Sequence, residues 1–208
     1  MVIDEGQDIP ADILEHISIL VDMLDGHYYV FYDKNQYIMM HQSTHWLDTY
    51  GDCRLVLYKN CRNTADIART VGTTVDSIKK DVYINELAGI KPVGCFYDNI
   101  NELQSIVRNF VSRMMQDKLK YEDIVILTTT SVKNSMLHVD MDINSVPISI
   151  EPKKNHVLFT SVRKFKGLEA KDVLLIDVVV NQLDDELQKR HVYVGASRAN
   201  TYLQLAFY

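Results

Sequence analysis

Several things are missing from this chain, and each absence removes a class of protein. Only three of its 208 residues are cysteine: Cys53, Cys61 and Cys95, an odd number with no CxxC pair. That argues against a disulfide framework and leaves free buried thiols in a reducing compartment as the expectation. No apolar run approaches the length of a membrane span, and no charged–apolar–small pattern opens the chain, so the expected location is cytoplasmic. Basic residues are not in excess: 22 Lys and Arg stand against 28 Asp and Glu, a formal net charge of −6. The overall charge therefore provides no footprint for nucleic acid. A G-x-x-x-x-G-K-[ST] loop is also lacking, and the nearest combination, Lys166-Gly167, runs in the wrong order. Without that loop no cradle of backbone N–H groups receives β- and γ-phosphates.

What is present suffices for a packed core. Hydrophobic residues make up 47% of the chain and charged residues 24%, ordinary for a globular protein of one large or two small domains. Met1-Val2-Ile3 reads as the tail of a strand. Pro10 then opens a helix with Ile13, Leu14, Ile17, Leu20, Val21 and Leu24 on one face, ended by Gly26. Tyr28–Tyr32 and Arg54–Tyr58 read as strands, and Asn63 or Thr64 caps a following helix. Pro92–Tyr97 is a short strand, and Asn101–Lys118 is the clearest helix, with Leu103, Ile106, Val107, Phe110, Val111 and Met114 on one side. Strands follow at Asp123–Thr128, His156–Thr160, Asp172–Val180 and Tyr202–Tyr208, with an edge strand near Val146–Ile148 and a helix from about Asp184 to Ala199. Alternation of this kind predicts an α/β fold around a largely parallel sheet.

Five segments carry candidate chemistry. Asp4 and Glu5 follow a strand end, and two adjacent carboxylates suit magnesium, one as metal ligand and one as base for an attacking water. Asp33 and Gln36 lie just past another strand, where an amide can both donate and accept. In Asn60-Cys61-Arg62-Asn63-Thr64 an arginine sits at a strand-to-helix turn. Thr160–Glu169 (TSVRKFKGLE) has Gly167 for close backbone approach and, two residues on, Glu169, whose carboxylate can accept from a ribose hydroxyl. His191–Leu205 sets Arg198 among small residues, a means of holding a permanent positive charge near a phosphate. Each also has a purely structural reading: an acidic turn, a polar loop, a solvated arginine, solvated lysines, and a salt bridge from Arg198 to Asp184 or Glu186. His41 and His45 are spaced as two ligands on a helix, but no third ligand accompanies them, which argues against zinc.

Taken in order, VIDEGQD, Asp33–Gln36, NCRN, TSVRKFKGLE and YVGASRA resemble the motif series of the UvrD/Rep-like superfamily 1 helicases, from the second motif to the sixth. The resemblance covers nearly the whole chain. It implies a RecA-like P-loop NTPase lobe over residues 51–208, preceded by a C-terminal remnant of a first RecA-like lobe over 1–50. It also implies that the chain is the C-terminal part of a longer protein, with an N-terminal lobe carrying the phosphate loop as its partner. The stretch between Arg69 and Val157 is filled by elements of the lobe itself, so a compact form without a separate insertion domain is expected.

The cofactors implied are ATP and Mg2+. Asp4 would face the metal and Glu5 act as base, with Gln7 and Asp8 as the usual continuation of that motif. Gln36 would sense the γ-phosphate, Arg62 reach the phosphates, Gly167 and Glu169 take the sugar side of ATP, and Arg198 act as an arginine finger. Single-stranded DNA is the implied partner, stacked on Tyr37, His41 and Trp46 and held along its backbone by Ser161, Arg163, Lys164 and Lys166. The chain departs from the family pattern at Tyr32, where glycine is common, and at Ser161 and Arg163, which replace threonine and histidine. The expected function is the nucleotide-binding C-terminal part of an ATP-dependent DNA helicase, inactive as an isolated chain. The alternative is a helicase-like lobe kept as a non-catalytic binding or scaffold module, which has no need of Asp4, Glu5 and Arg198 together.

Overall fold

The computed structural model describes residues 1–33, 53–57, 59–74, 83–84, 87–139, 143 and 146–208. Gln36, Tyr37, His41, His45 and Trp46 lie outside the described residues. The chain divides into two units, Met1–Leu57 and Tyr58–Tyr208.

In the first unit, β1 (Val2–Ile3) runs parallel to β2 (Tyr29–Val30), with Val2 opposite Tyr29. Parallel neighbours need a crossover, and α1 (Ala11–Met23) supplies it. Pro10 stands just before its first turn, where a missing N–H costs nothing. The apolar face expected on this helix is only partly used. Leu14 and Val21 are buried, whereas Ile13, Leu20 and Leu24 are exposed. Leu14 and Val21 stand two turns apart on one line, and two short strands can cover little more than that narrow stripe.

The second unit opens with a pair of short parallel strands, β3 (Lys59–Asn60) and β4 (Tyr83–Ile84). The strand expected at Arg54–Tyr58 is not there: Cys53–Leu57 is irregular and exposed, and pairing starts at Lys59. Leu55 and Leu57 are apolar and alternate, but alternation specifies a strand only where a neighbour buries one side of it. The thiols expected to be buried are likewise exposed at Cys53 and Cys61, while Cys95 is half-buried.

The main sheet has six strands in the order β5 (Val93–Phe96), β10 (Ala199–Phe207), β9 (Ala170–Val178), β6 (Ile124–Thr128), β8 (Val157–Ser161) and β7 (Ile148–Ser149). Every pairing is parallel. All-parallel sheets are covered on both faces, which is why β6 is buried at each of its residues and reads as an unbroken apolar run. On one face lies α3 (Ile100–Gln116), whose Leu103, Val107, Phe110, Val111 and Met114 pack with Ile126, Phe159, Leu174 and Ile176 of the sheet. Asn99 caps this helix by accepting from the Glu102 N–H at 3.1 Å, and Glu102 reaches back to the Asp98 N–H at 2.9 Å. On the other face lies α4 (Glu186–Ala196), capped by Asp185, with α2 (Ala65–Thr74) packed against it. Helix α4 is shorter than expected. It stops at Ala196, and Ala199 already belongs to β10, so Arg198 sits at the joint between helix and strand.

Register decides where the motif loops emerge. Thr128 lies opposite both Ser161 and Ile176, and Ile124 opposite Asp172. The loop 162–169 therefore leaves β8 at the C-terminal edge of the sheet and enters β9 at the N-terminal edge.

Candidate functional site

In the first unit, Ile3 ends β1 and the chain turns sharply: Glu5 adopts a left-handed conformation at φ 52, followed by a 3-10 turn at Gly6–Asp8. Gln7 is buried at 2% exposure and works as the clamp of this turn. Its Nε2 donates to the Glu5 carboxylate, while its Oε1 accepts from the Asp33 N–H at 3.1 Å. The Gly6 N–H also donates to the Phe31 carbonyl at 2.8 Å. Glu5, the expected base, is thus held through Gln7 to Asp33, and the Gly6 N–H ties the same turn to Phe31. Asp4 is exposed at the strand end, and its Oδ1 accepts from the Glu5 N–H at 2.9 Å. One exposed carboxylate there fits Mg2+, which takes few protein ligands and completes its shell with water and phosphate oxygens. No cluster of three or more His, Cys, Asp or Glu able to hold a metal occurs among the described residues.

In the second unit, three motif segments meet at the N-terminal edge of the sheet. Asn60 forms the turn before α2, its Oδ1 accepting from the N–H groups of Arg62 and Asn63 at 3.1 Å each. The turn sends Arg62 outward, and its Nε pairs with Glu169 Oε1 at 2.5 Å. Glu169 Oε2 accepts from Asn200 Nδ2 at 3.1 Å. Asn63 points the other way and is buried at 2% exposure. Its Nδ2 donates to the carbonyls of Ser197 at 2.9 Å and Ala199 at 2.7 Å, straddling Arg198. The Arg198 carbonyl in turn accepts from the Ala170 N–H at 3.1 Å, tying the start of β10 to the residue after Glu169.

Arg62, Glu169 and Arg198 are therefore brought into one region. They are not presented alike, however. Arg62 and Glu169 are 38% and 39% exposed at their side chains, whereas Arg198 is buried at 1%, its Nε donating to the Val194 carbonyl at 3.1 Å. To act on a phosphate, the Arg198 guanidinium must leave this position. Sequence reading singled out Asn63 only as a helix cap and overlooked Asn200. The available signal was two asparagines, one inside and one directly after charged motifs, where an amide can tie a loop to a neighbouring segment.

The other face of the motif loop is built differently. Ser161 is buried at the end of β8, its Oγ accepting from the Lys164 N–H at 3.3 Å, while Arg163 and Lys164 are exposed and Lys166 is half-buried. Gly167 has φ 82 with open space where a Cβ would stand, so backbone conformation rather than crowding calls for glycine there. His191 on α4 senses Arg163 across this region. Burial, then the Arg163 charge, holds its imidazole below the ordinary range.

A second polar centre occupies the C-terminal edge. Asp177, at φ 60, accepts from Tyr97 Oη at 2.9 Å and from Thr128 Oγ1 and Ser135 Oγ at 2.6 Å each. It pins the ends of β6 and β9 to the residue after β5. Burial first, then the Asp177 charge, pushes the Tyr97 phenol far above its ordinary range. This centre is fully hydrogen-bonded and inward-facing, which suits a structural part.

Residues 156–206 match the UvrD-like helicase C-terminal domain, a span that runs from the start of β8 through the motif loop and α4 into β10. The match takes in about a quarter of the chain, and over that span the sequence is similar to a UvrD-like helicase C-terminal domain. In fold, it is similar to the C-terminal domain of a possible DNA helicase from Lactobacillus plantarum. That likeness has a TM-score of 0.57 at 15% identity and covers 70% of this chain and 85% of that one. Arterivirus nonstructural protein 10, a helicase, aligns with a TM-score of 0.48 at 16% identity, over 99% of this chain and 38% of its own. A comparison with curated proteins gives no match. The six-stranded parallel sheet is the α/β fold that the motif series implied, and it is shared with the Lactobacillus domain. Among the described residues no helix is long and apolar enough to cross a membrane.

Proposed function

We propose that this chain is the UvrD-like, nucleotide-binding C-terminal part of an ATP-dependent helicase that translocates on single-stranded DNA. The observation that supports the reading best is the joining of the motif segments: Arg62 to Glu169, and Asn63 to the backbone on both sides of Arg198. ATP bound with Mg2+ supplies the phosphoryl group to be transferred. Asp4 would hold the metal and Glu5 would accept the proton of the attacking water. Arg62 would neutralise phosphate charge, Glu169 accept from a ribose hydroxyl, and Arg198 stabilise transition-state charge once swung out of its buried seat. Arg163, Lys164 and Lys166, with Ser161 beneath them, would meet nucleic-acid phosphates, and Gln36, Tyr37, His41 and Trp46 keep the roles the resemblance implies.

The test is turnover. Purified chain with ATP, Mg2+ and single-stranded DNA is expected to show no appreciable hydrolysis, because it has no loop to cradle the β- and γ-phosphates, yet to bind ATP in a manner weakened by Arg62→Ala. Robust hydrolysis would refute the part assigned to that loop.

A second reading, a non-catalytic helicase-like module, is favoured by the burial of Arg198. It requires that Arg198→Ala leave nucleotide binding unchanged beside phosphate analogues of the transition state. The first reading requires a loss there.

A further inference from the structure

Glu169 has two partners, each on its own oxygen: the Arg62 guanidinium at 2.5 Å and the Asn200 amide at 3.1 Å. The ion pair is accessible, at 38% and 39% side-chain exposure, so a ligand can reach it without unfolding anything. Exposed pairs of this kind are weak and readily exchanged. Asn200 keeps the carboxylate in place when Arg62 departs, since its bond is to the other oxygen.

Resting on the function proposed above, we infer that the Arg62–Glu169 pair is a latch that makes the domain prefer a nucleoside triphosphate to a bare polyphosphate. The pair cancels two charges that a nucleotide needs separately. A polyphosphate alone can recruit Arg62 only by stripping Glu169 of its counter-ion and leaving a carboxylate beside the anion, a like-charge arrangement. A nucleotide brings both replacements at once. Its phosphates take the guanidinium, which has donors only, and a sugar hydroxyl donates to the carboxylate, which has acceptors only. Arg62 also stands just before the N-terminus of α2, where the helix favours negative charge once the pair has opened. Glu169 is thereby a specificity-determining residue as well as a binding one: it excludes anions that bring no hydroxyl.

Isothermal titration of the chain with ATP and with inorganic triphosphate tests this in wild type, Glu169→Gln and Arg62→Gln. Wild type is expected to favour ATP. Glu169→Gln keeps the shape and can still accept from Asn200, but releases Arg62; its affinity for inorganic triphosphate should rise about two- to five-fold, in line with the strength of an exposed pair. Its preference for ATP should narrow, and Arg62→Gln should weaken both ligands. Triphosphate affinity that stays level or falls in Glu169→Gln, with circular dichroism unchanged, overturns the latch while leaving the proposed function standing if ATP still binds. ATP binding that ignores Arg62→Gln overturns the functional reading itself. Failure of both anions to bind either wild type or Glu169→Gln also overturns the latch, since an unpaired Arg62 at a helix N-terminus must attract a polyphosphate.

Discussion

Asn63→Ala should be the most damaging small change to the side of the domain that holds Arg62 and Glu169, by an amount the geometry sets. The Asn63 amide is 2% exposed and donates twice, to Ser197 O at 2.9 Å and Ala199 O at 2.7 Å. Its Oδ1 also accepts from Asn60 Nδ2 at 3.0 Å. Alanine removes the donor and leaves two carbonyls facing an apolar methyl. A stranded buried acceptor costs about 1–3 kcal/mol, and two of them, each with a second lone pair that can find other partners, suggest about 2–4 kcal/mol in total. With a urea m-value of roughly 2 kcal/mol/M, the midpoint should fall by about 1–2 M at unchanged slope. Far-UV circular dichroism follows the transition. Asn63→Asp should fall further, because a carboxylate can only accept and would face two carbonyl oxygens. Arg62→Ala is the internal control: its pair is half-exposed, so no more than about 1 kcal/mol should be lost. A midpoint for Asn63→Ala within the error of wild type would refute the claim that this amide joins the motif segments.

Asp172 sits at the start of β9, 1% exposed, and burial pushes its carboxyl up to about 6, with Asp117 and Asp123 adding to the effect. Because the folded value exceeds the unfolded one, the charged form costs stability above about pH 6, and that cost disappears as pH falls from about 6 toward 4. Asp172→Asn should therefore stabilise the domain at pH 7.5, by at most about 3 kcal/mol, and leave it nearly unchanged at pH 4.5. Equal urea midpoints for the two proteins at pH 7.5 would refute this. Gly195→Ala should destabilise by about 1–3 kcal/mol, since an added Cβ would meet Leu175 Cδ1 and Val162 Cγ2 at 2.8 Å. A melting temperature equal to wild type would show that α4 can slide on the sheet at no cost.

Much of the layout was legible because the local pattern and the final environment agree. Ile124–Leu127 and Val173–Ile176 are apolar at every position, and a strand buried on both faces demands that. The helices expected from Asn101 and from about Asp184 do form, and their starts are set by Asn99 and Asp185, whose side chains accept from the N–H three residues on. The misreadings have a common origin. Arg54–Tyr58 has the composition of a strand and Ile13, Leu20 and Leu24 the spacing of a buried face, but composition and spacing only offer a surface. Whether it is covered depends on segments distant in sequence.

By itself the amino-acid order determined the parallel α/β architecture, the succession of motifs and the chemical types at Asp4, Glu5, Arg62, Glu169 and Arg198. Periodicity and residue chemistry are local properties and survive without a third dimension. Only the tertiary structure decided which of those groups are engaged with each other. Arg62 lies against Glu169, 107 positions later in the chain, and Asn63 reaches the backbone on either side of an arginine that is itself sealed inside. Such partnerships arise from strand register and helix packing, which bring distant residues within a few ångströms of one another and which no window along the chain contains.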